Sequence, residues 1–330
     1  MNIQTPLAAK NHSGFSLVEL MVAMTLGLIV VGAVAYAYLG SRAAFRTTDN
    51  MSRMQESARY AIDALSRDVR MAGYFGCGSL SNLNVTTIAN PPVPLITADT
   101  AIIGYDDGAG WVNPTAIVRA AGDVITIQGA FGGGVPIAGN WAPANAQVQT
   151  AGNPYGFLQN EVLVVANCTT ADVFRATNVI NGPTLSTFAH SNAGNSGNRV
   201  GTYGPDASLL RFEQYDYFIG INPNGRRALY RSSIREGAQE LVENVENMQV
   251  MFGRDIDGDR SVDVYNNAAG VGANWNQVVA ARINLLISST ENNLTTSPQT
   301  YNFDAFAVPA ADRRIYQTFT TTIGVRNRLP

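Results

Sequence analysis

The sequence predicts an α+β protein in which a long N-terminal helix packs on an antiparallel β-sheet with long loops. From Phe15 to about Ala72 the chain contains no proline and is dominated by helix-forming residues. From residue 161 onward, runs with strand-like alternation follow one another without long helices between them, which favours antiparallel pairing. The segment Asn222–Gly225 lies between two of these runs and has the composition of a hairpin turn.

The N-terminal region joins a short polar leader, residues 1–14, to a long apolar segment, residues 15–41. The run from Leu20 to Ser41 carries no charge and is as long as the roughly 20 residues that a helix needs to cross a bilayer. A carboxylate inside a membrane helix costs roughly 2.5–3.5 kcal/mol, so Glu19 indicates a functional partner. The alternative is a simple signal anchor in which Glu19 reaches the membrane interface.

The helix is expected to continue through residues 42–74 with one apolar face. Charges alternate on the opposite face at Arg59, Asp63 and Arg67, four residues apart. A helix with this pattern packs one side on a sheet. The apolar residues that recur every three or four positions are Met54, Ala58, Ala61, Ile62, Leu65, Val69 and Ala72.

Residues 75–330 are expected to form a β-rich globular head. Between about 79 and 160 only Asp123–Gln128 clearly predicts a strand, and the abundant glycine, proline and asparagine predict long loops. The run Phe131–Gly134 is predicted to be a turn. Further strands are predicted at Glu161–Ala166, Val173–Val179, Leu209–Ile221, Arg227–Ile234, Asn247–Gly253, Val278–Ser288 and Arg314–Val325.

Composition and charge favour a protein that works outside the cytoplasm. Charged residues make up 14% of the 330 residues, and the formal net charge is −3. Loss of the leader removes Lys10 and lowers that charge to −4, so we expect no nucleic-acid partner. An oxidising compartment would allow a disulfide between Cys77 and Cys168. Two separately buried thiols are the alternative.

The segment from Asp255 to Asp263 is a candidate metal site. It places the carboxylates of Asp255, Asp257, Asp259 and Asp263 at positions 1, 3, 5 and 9 of a short loop. Alternating oxygen ligands are what Ca²⁺ requires. The loop differs from an EF-hand because its glycine is at position 4 and its flanks predict strands. The alternative is a charged, solvated β-turn.

The sequence does not favour an enzyme. Its two histidines are His12, in the leader, and His190, in a Ser/Asn/Gly-rich segment where a solvated loop residue is expected. No nucleophile elbow, phosphate-binding loop or Cys-x-x-Cys pair is present. We therefore expect no catalytic residues.

The junction Gly14-Phe15-Ser16-Leu17-Val18-Glu19, with the basic Lys10 before it, resembles the class III leader junction of type IV prepilins. The resemblance implies that a prepilin peptidase cuts after Gly14 and methylates the new amine of Phe15. It also implies that Glu19 docks the subunit against the N-terminus of a neighbour in a helical filament.

Segments near both ends of the chain resemble PilW-type minor pilins, and about 80–205 resembles no family. The resemblance implies a type IV pilin-like fold and a minor pilin that helps to initiate pilus assembly at or near the tip. The segments are Met71–Cys77, Leu241–Val250, the acidic loop, Trp275, Val278–Leu286 and Arg313–Asn327.

The expected partners are other minor pilins, the major pilin, prepilin peptidase and a large tip-associated adhesin. The expected location is the inner membrane of a Gram-negative bacterium, with the head in the periplasm, and then the surface pilus. One alternative is a type II secretion pseudopilin (GspJ-like). Another is a tip adhesin or binding module whose loops use Trp111 and Trp141 to contact a ligand.

Overall fold

The structure is a computed structural model that describes residues 14, 16–80, 83–90, 96–139 and 145–328. The chain divides into two compact units, Met1–Met51 and Ser52–Pro330. Helix α1 spans Leu17–Arg70 and belongs to both units. A second, four-residue helix, α2, spans Ala268–Val271.

The described part of the second unit also contains short 3-10 helices, loops and nineteen strands. These are β1 Tyr74–Phe75, β2 Gly78–Ser79, β3 Asn84–Thr87, β4 Ile102–Tyr105, β5 Arg119–Pro136, β6 Gln147–Thr150, β7 Val162–Ala166, β8 Thr170–Arg175, β9 Asn178–Asn181, β10 Ser186–Ala189, β11 Ser208–Ile221, β12 Arg227–Ser233, β13 Gly237–Glu243, β14 Val245–Arg254, β15 Val264–Asn266, β16 Val278–Ser288, β17 Thr300–Phe303, β18 Phe306–Pro309 and β19 Tyr316–Gly324.

Two sheets carry most of the head. The larger has eight strands, with the path β13-β12-β11-β7-β8-β3, and β5 joins it by pairing with both β11 and β4. The smaller has the order β15-β14-β16-β19. Pairing is antiparallel except between β3 and β8, which are parallel, so the predicted α+β class with antiparallel sheets is confirmed. The predicted hairpin at Asn222–Gly225 joins β11 to β12.

The C-terminal part of α1 packs on both of these sheets. The predicted apolar face is confirmed, since Met54, Ala58, Ala61, Leu65 and Val69 are all at most 3% exposed. They share one core cluster with side chains from β4, β5, β11 and β12 of the larger sheet and from β14, β16 and β19 of the smaller sheet. Burial of this face is the main apolar contact of the helix with the head.

A buried polar contact accompanies this apolar packing. Tyr217 on β11 donates its hydroxyl proton to Asp68 of α1 at 2.5 Å, and Arg231 on β12 lies 3.4 Å from the same carboxylate oxygen. Asp68 is 5% exposed, and burial raises the pKa of its carboxyl. A buried carboxylate that loses its hydrogen-bond donors destabilises the fold. The contact therefore fixes the position of the helix on the sheet.

The middle of the chain has more strand than the sequence predicts. Strand β5 extends from Arg119 to Pro136, well beyond the predicted Asp123–Gln128, and includes the glycine run predicted as a turn. Gly132 has a φ of 92°, and the pairing with β11 shifts register beside it. The turn prediction was therefore wrong, because a bulge bends a strand that continues on both sides.

Two other local predictions need correction. The predicted strand Val173–Val179 is broken, because β8 ends at Arg175 and β9 begins at Asn178. His190 is not a solvated loop residue, since it is 1% exposed and its ring lies 5.1 Å from that of Phe174. Neither ring nitrogen has a hydrogen-bond partner among the described residues.

A disulfide links the segment after α1 to the turn between β7 and β8. Cys77 and Cys168 are bonded, with their Cα atoms 5.0 Å apart. The alternative of two separate thiols is thereby excluded. The bridge closes a long loop, and a loop of that size gives about 4–5 kcal/mol in the chain-entropy treatment of the unfolded state.

We predict that Tyr217→Phe lowers the free energy of unfolding by roughly 1–3 kcal/mol, because the buried Asp68 carboxylate loses its closest donor. Denaturant unfolding of the full chain in detergent micelles measures the loss. Tyr60→Phe is the control, since Tyr60 lies on the same helix and is 55% exposed. Equal unfolding midpoints for the two variants would contradict the prediction.

We predict that His190 makes the head less stable in mild acid. Burial lowers the pKa of His190, and the nearby Asp172 opposes this shift only in part. Protonation therefore favours the unfolded chain once the pH falls below the ordinary histidine value of about 6.5. The dependence is at most about 1.4 kcal/mol per pH unit.

The measurement is the melting temperature of wild type and His190→Leu at a series of pH values. The difference between the two proteins isolates His190 from Asp123 and Glu213, whose raised pKa values act in the opposite direction. Wild type should lose more stability than the variant on acidification. Parallel curves would show that His190 does not titrate on unfolding.

Candidate functional site

The N-terminal candidate residues lie at the start of α1. Ser16 precedes the helix, and its hydroxyl oxygen accepts a hydrogen bond from the backbone N–H of Glu19 at 3.1 Å. Ser16 and Glu19 have the spacing of a capping box, in which an N-cap serine and an acidic residue three positions later satisfy free N–H groups. Gly14 is exposed just before this cap. Phe15 lies outside the described residues.

The first part of α1 is apolar on all sides. Its most apolar 18-residue window has a mean hydropathy of 2.4, and none of that window is buried. By length and composition the helix is sufficient to cross a membrane. The apolar side chains of this window are exposed. Four of them are at least 66% exposed: Leu17, Leu28, Ile29 and Val31. A helix that is hydrophobic all round is stable only when a membrane or other protein surrounds it.

The acidic loop connects β14 to β15. One carboxylate oxygen from each of Asp255, Asp257 and Asp263 lies within 4.8 Å of the other two. Since Ca²⁺–oxygen bonds measure about 2.3–2.6 Å, one ion can contact three oxygens at such separations. Asp255 is 9% exposed, whereas the other two are exposed.

The backbone of this loop orients its carboxylates. Asp255 accepts hydrogen bonds from the N–H groups of Gly258 and Arg260, at 2.6 and 2.8 Å. Asp263 accepts one from Ile256 at 2.7 Å. Among the described residues, the predicted ligand Asp259 is not part of the three-carboxylate group. It accepts instead from the N–H of Ser261.

Trp111 lies in the loop that follows β4 and is half-buried. Its ring lies 5.0 Å from that of Phe218 on β11 and packs against a small cluster that includes Tyr230. The expectation that it contacts a ligand stays a prediction. Trp141 lies outside the described residues.

Two family models match this sequence. Residues 216–327 match the model described as Type IV Pilus-assembly protein W (PilW). Residues 9–35 match the prokaryotic N-terminal methylation motif. The resemblance to a PilW-type pilin is confirmed. No curated protein and no solved structure matches the chain.

The PilW match covers part of the surface on which the helix packs. It begins one residue before Tyr217 and includes Arg231, the acidic loop and the strands of the smaller sheet. The match to the methylation motif covers Gly14, Phe15 and Glu19. Together with the exposed apolar helix, these matches support a membrane-anchored pilin related to the type IV pilus. The first of these models describes a pilus-assembly protein.

Sequence reasoning missed the cap at Ser16 and the contact between Asp68, Tyr217 and Arg231. The cap could have been found from the Ser-x-x-Glu spacing alone. The second contact has no local signal, since 149 residues separate Asp68 from Tyr217.

Proposed function

We propose that the chain is a minor pilin that helps to initiate type IV pilus assembly and lies at or near the pilus tip. The observation that carries this proposal is the occurrence of a PilW match and a methylation-motif match in one chain. The partners would be other minor pilins, the major pilin and a large tip-associated adhesin. The protein would first reside in a Gram-negative inner membrane and then in a surface pilus.

The mechanism is non-covalent once the leader is removed. A prepilin peptidase cuts after Gly14 and methylates the Phe15 amine, and the apolar helix then moves from the membrane into a filament core. Glu19 pairs with the N-terminal amine of a neighbouring subunit, because opposite charges attract strongly in a medium of low dielectric constant. The head determines which subunit lies next to it.

The decisive experiment counts surface pili in a deletion strain that also lacks the retraction motor. Few pili, with recovery when the wild-type chain is supplied, would support a role in initiating assembly. Normal pilus number would refute it and would favour an adhesive role at the tip. Exported enzymes trapped in the periplasm would indicate a type II secretion pseudopilin.

We also propose that the acidic loop binds Ca²⁺. The support is the convergence of Asp255, Asp257 and Asp263, whose oxygens lie at separations that one ion can bridge. Three carboxylates this close repel one another, and a bound cation would remove that repulsion. Water and backbone carbonyls would supply the remaining ligands.

We predict that Ca²⁺ raises the melting temperature of the wild-type chain by several degrees over a chelated sample. The gain is about 2.7 kcal/mol when the ion is at 100 times its Kd. Asp257→Asn should abolish most of the shift. Asp259→Asn is the matched control and should keep it. Equal melting temperatures of wild type with Ca²⁺ and with chelator would refute the site.

We predict that Gly14→Val blocks removal of the leader, since the peptidase must accommodate the residue at the cut. Mass spectrometry of the N-terminus measures processing. Gly27→Ala is the control, because a methyl group there meets nothing within 4 Å. A mature chain that begins at Phe15 in the Gly14→Val variant would contradict the assignment.

We predict that Glu19→Gln and Glu19→Ala both abolish incorporation into pili, measured by immunoblot of sheared filaments. Glutamine can take the place of glutamate in a capping box but carries no charge. Failure of both variants would therefore assign the role to the charge. Normal incorporation of Glu19→Gln would show that the charge of Glu19 is not required for assembly.

A further inference from the structure

A cavity of about 360 Å³ lies on the head where four segments meet. These are the loop before β7, the end of β8, the first part of β11 and the turn after β12. Neither the assembly role nor the acidic loop involves it. Its lining residues are Leu158, Gln159, Asn160, Glu161, Val162, Arg175, Arg211, Phe212, Glu213, Ile234 and Arg235.

Glu213 is the unusual residue of this cavity. It is 5% exposed, and its Oε2 atom has no hydrogen-bond partner among the described residues. Buried carboxylates are ordinarily paired, because an unpaired one has lost its hydration without replacement. Glu213 therefore needs a hydrogen-bonding group that the described head does not supply.

The other charged groups of the cavity are already paired. Glu161 lies between two guanidinium groups, with Arg211 at 3.1 Å and Arg235 at 2.8 Å. Arg211 also donates to the carbonyl of Tyr155, and Arg175 donates to the carbonyl of Asn160. Glu161 Oε1 makes no hydrogen bond among the described residues and is paired by charge alone with Arg235. Glu213 Oε2 has neither a hydrogen bond nor an ion pair among them.

The charges of the lining restrict what the partner can be. An ammonium group could donate to Glu213, but three guanidinium groups oppose a further positive charge. An anion would meet the carboxylates of Glu161 and Glu213. A neutral hydroxyl avoids both penalties, since it donates to a carboxylate and accepts from a guanidinium.

The rim of the cavity carries apolar side chains among polar ones. Leu158 is 55% exposed and Ile234 is 47% exposed, and Gln159, Asn160 and Arg235 are exposed beside them. A ligand that carries hydroxyl groups on a C–H framework would contact Leu158 and Ile234 through its C–H groups and the polar lining through its hydroxyls. We propose that this cavity binds a carbohydrate unit, with one hydroxyl hydrogen-bonded to Glu213.

The protonation of Glu213 separates this ligand class from charged ones. Burial raises the pKa of Glu213 to about 7, the charge of Glu161 adds to this, and Arg211 opposes it. A hydroxyl can donate to the carboxylate or accept from the carboxylic acid. Carbohydrate affinity should therefore change little across pH 7, whereas a cation would bind better above it and an anion below it.

The test is saturation-transfer-difference NMR on the full chain in micelles of a sugar-free detergent. The probes are glucose, galactose and N-acetylglucosamine at millimolar concentration, with free lysine and glucuronate as the cationic and anionic comparisons. We expect transfer to at least one neutral sugar, of similar strength one pH unit on either side of 7. No transfer to the neutral sugars, or stronger transfer to lysine, would overturn the proposal.

Variants locate the binding. Glu213→Leu should weaken it about tenfold, the equivalent of one hydrogen bond at about 1.4 kcal/mol. Glu213→Gln keeps an acceptor and should retain most of it. Glu56→Leu is the matched control, since Glu56 is exposed on α1. Unchanged affinity in Glu213→Leu would overturn the assignment.

A rim variant keeps the test decisive if Glu213→Leu does not fold. Ile234→Ala removes an exposed side chain, so the head should fold normally, and sugar affinity should fall several-fold. Unchanged affinity in that variant would also count against the cavity. These variants should leave pilus number unchanged, so a failure here is distinguishable from a failure of the assembly role.

Discussion

The head depends on the packing of one helix face against two sheets at once. Residues 52–70 place Met54, Ala58, Ala61, Leu65 and Val69 in a core formed by both sheets. Removing water from this shared surface is the largest favourable contribution that the helix makes to the head. Because the larger and the smaller sheet each contribute to the same cluster, the helix also holds them in their mutual arrangement.

Buried polar groups give this apolar core its specificity. Asp68 accepts from Tyr217, and only one position of the helix along β11 brings these groups together. Asp123 on β5 accepts from the N–H of Val250 on β14 and from that of Asp107, and so ties one sheet to the other. Burial raises the pKa of Asp123 to about 6. Burying these carboxyl groups costs desolvation free energy. A helix or sheet displaced from its native position would bear the same cost and would also lose the hydrogen bonds.

The N-terminal part of α1 presents the opposite situation. Its apolar side chains are exposed in the first unit, and no residue of that window is buried. So large an apolar surface is tolerated in a membrane or against other apolar helices, but not in water. The proposed membrane anchoring and the proposed transfer into a filament would both use this surface. The cap at Ser16 satisfies a backbone N–H at its start, where no preceding turn can do so.

Much of the fold was predictable because its signals are local. Periodicity of apolar residues predicts the helix, with its two different halves, and the strands near the C-terminus. Turn chemistry predicts the hairpin at Asn222–Gly225. Strand β5 was underestimated, because all nine consecutive residues from Gly122 to Ala130 are buried and the run shows little alternation between buried and exposed positions. The acidic loop was recognised, but three carboxylates converge and Asp259 does not.

The sequence by itself determined the junction at Gly14, the membrane-competent helix and the position of the acidic loop, because residues that are neighbours in the chain define each of them. Only the tertiary structure decided that His190 is buried, that Asp68 meets Tyr217 and Arg231, and that Glu213 lines a cavity. Those environments are made by segments far apart in the chain, 149 residues in the case of Asp68 and Tyr217. Burial and pairing at such distances depend on how the sheets pack, and no local pattern encodes that packing.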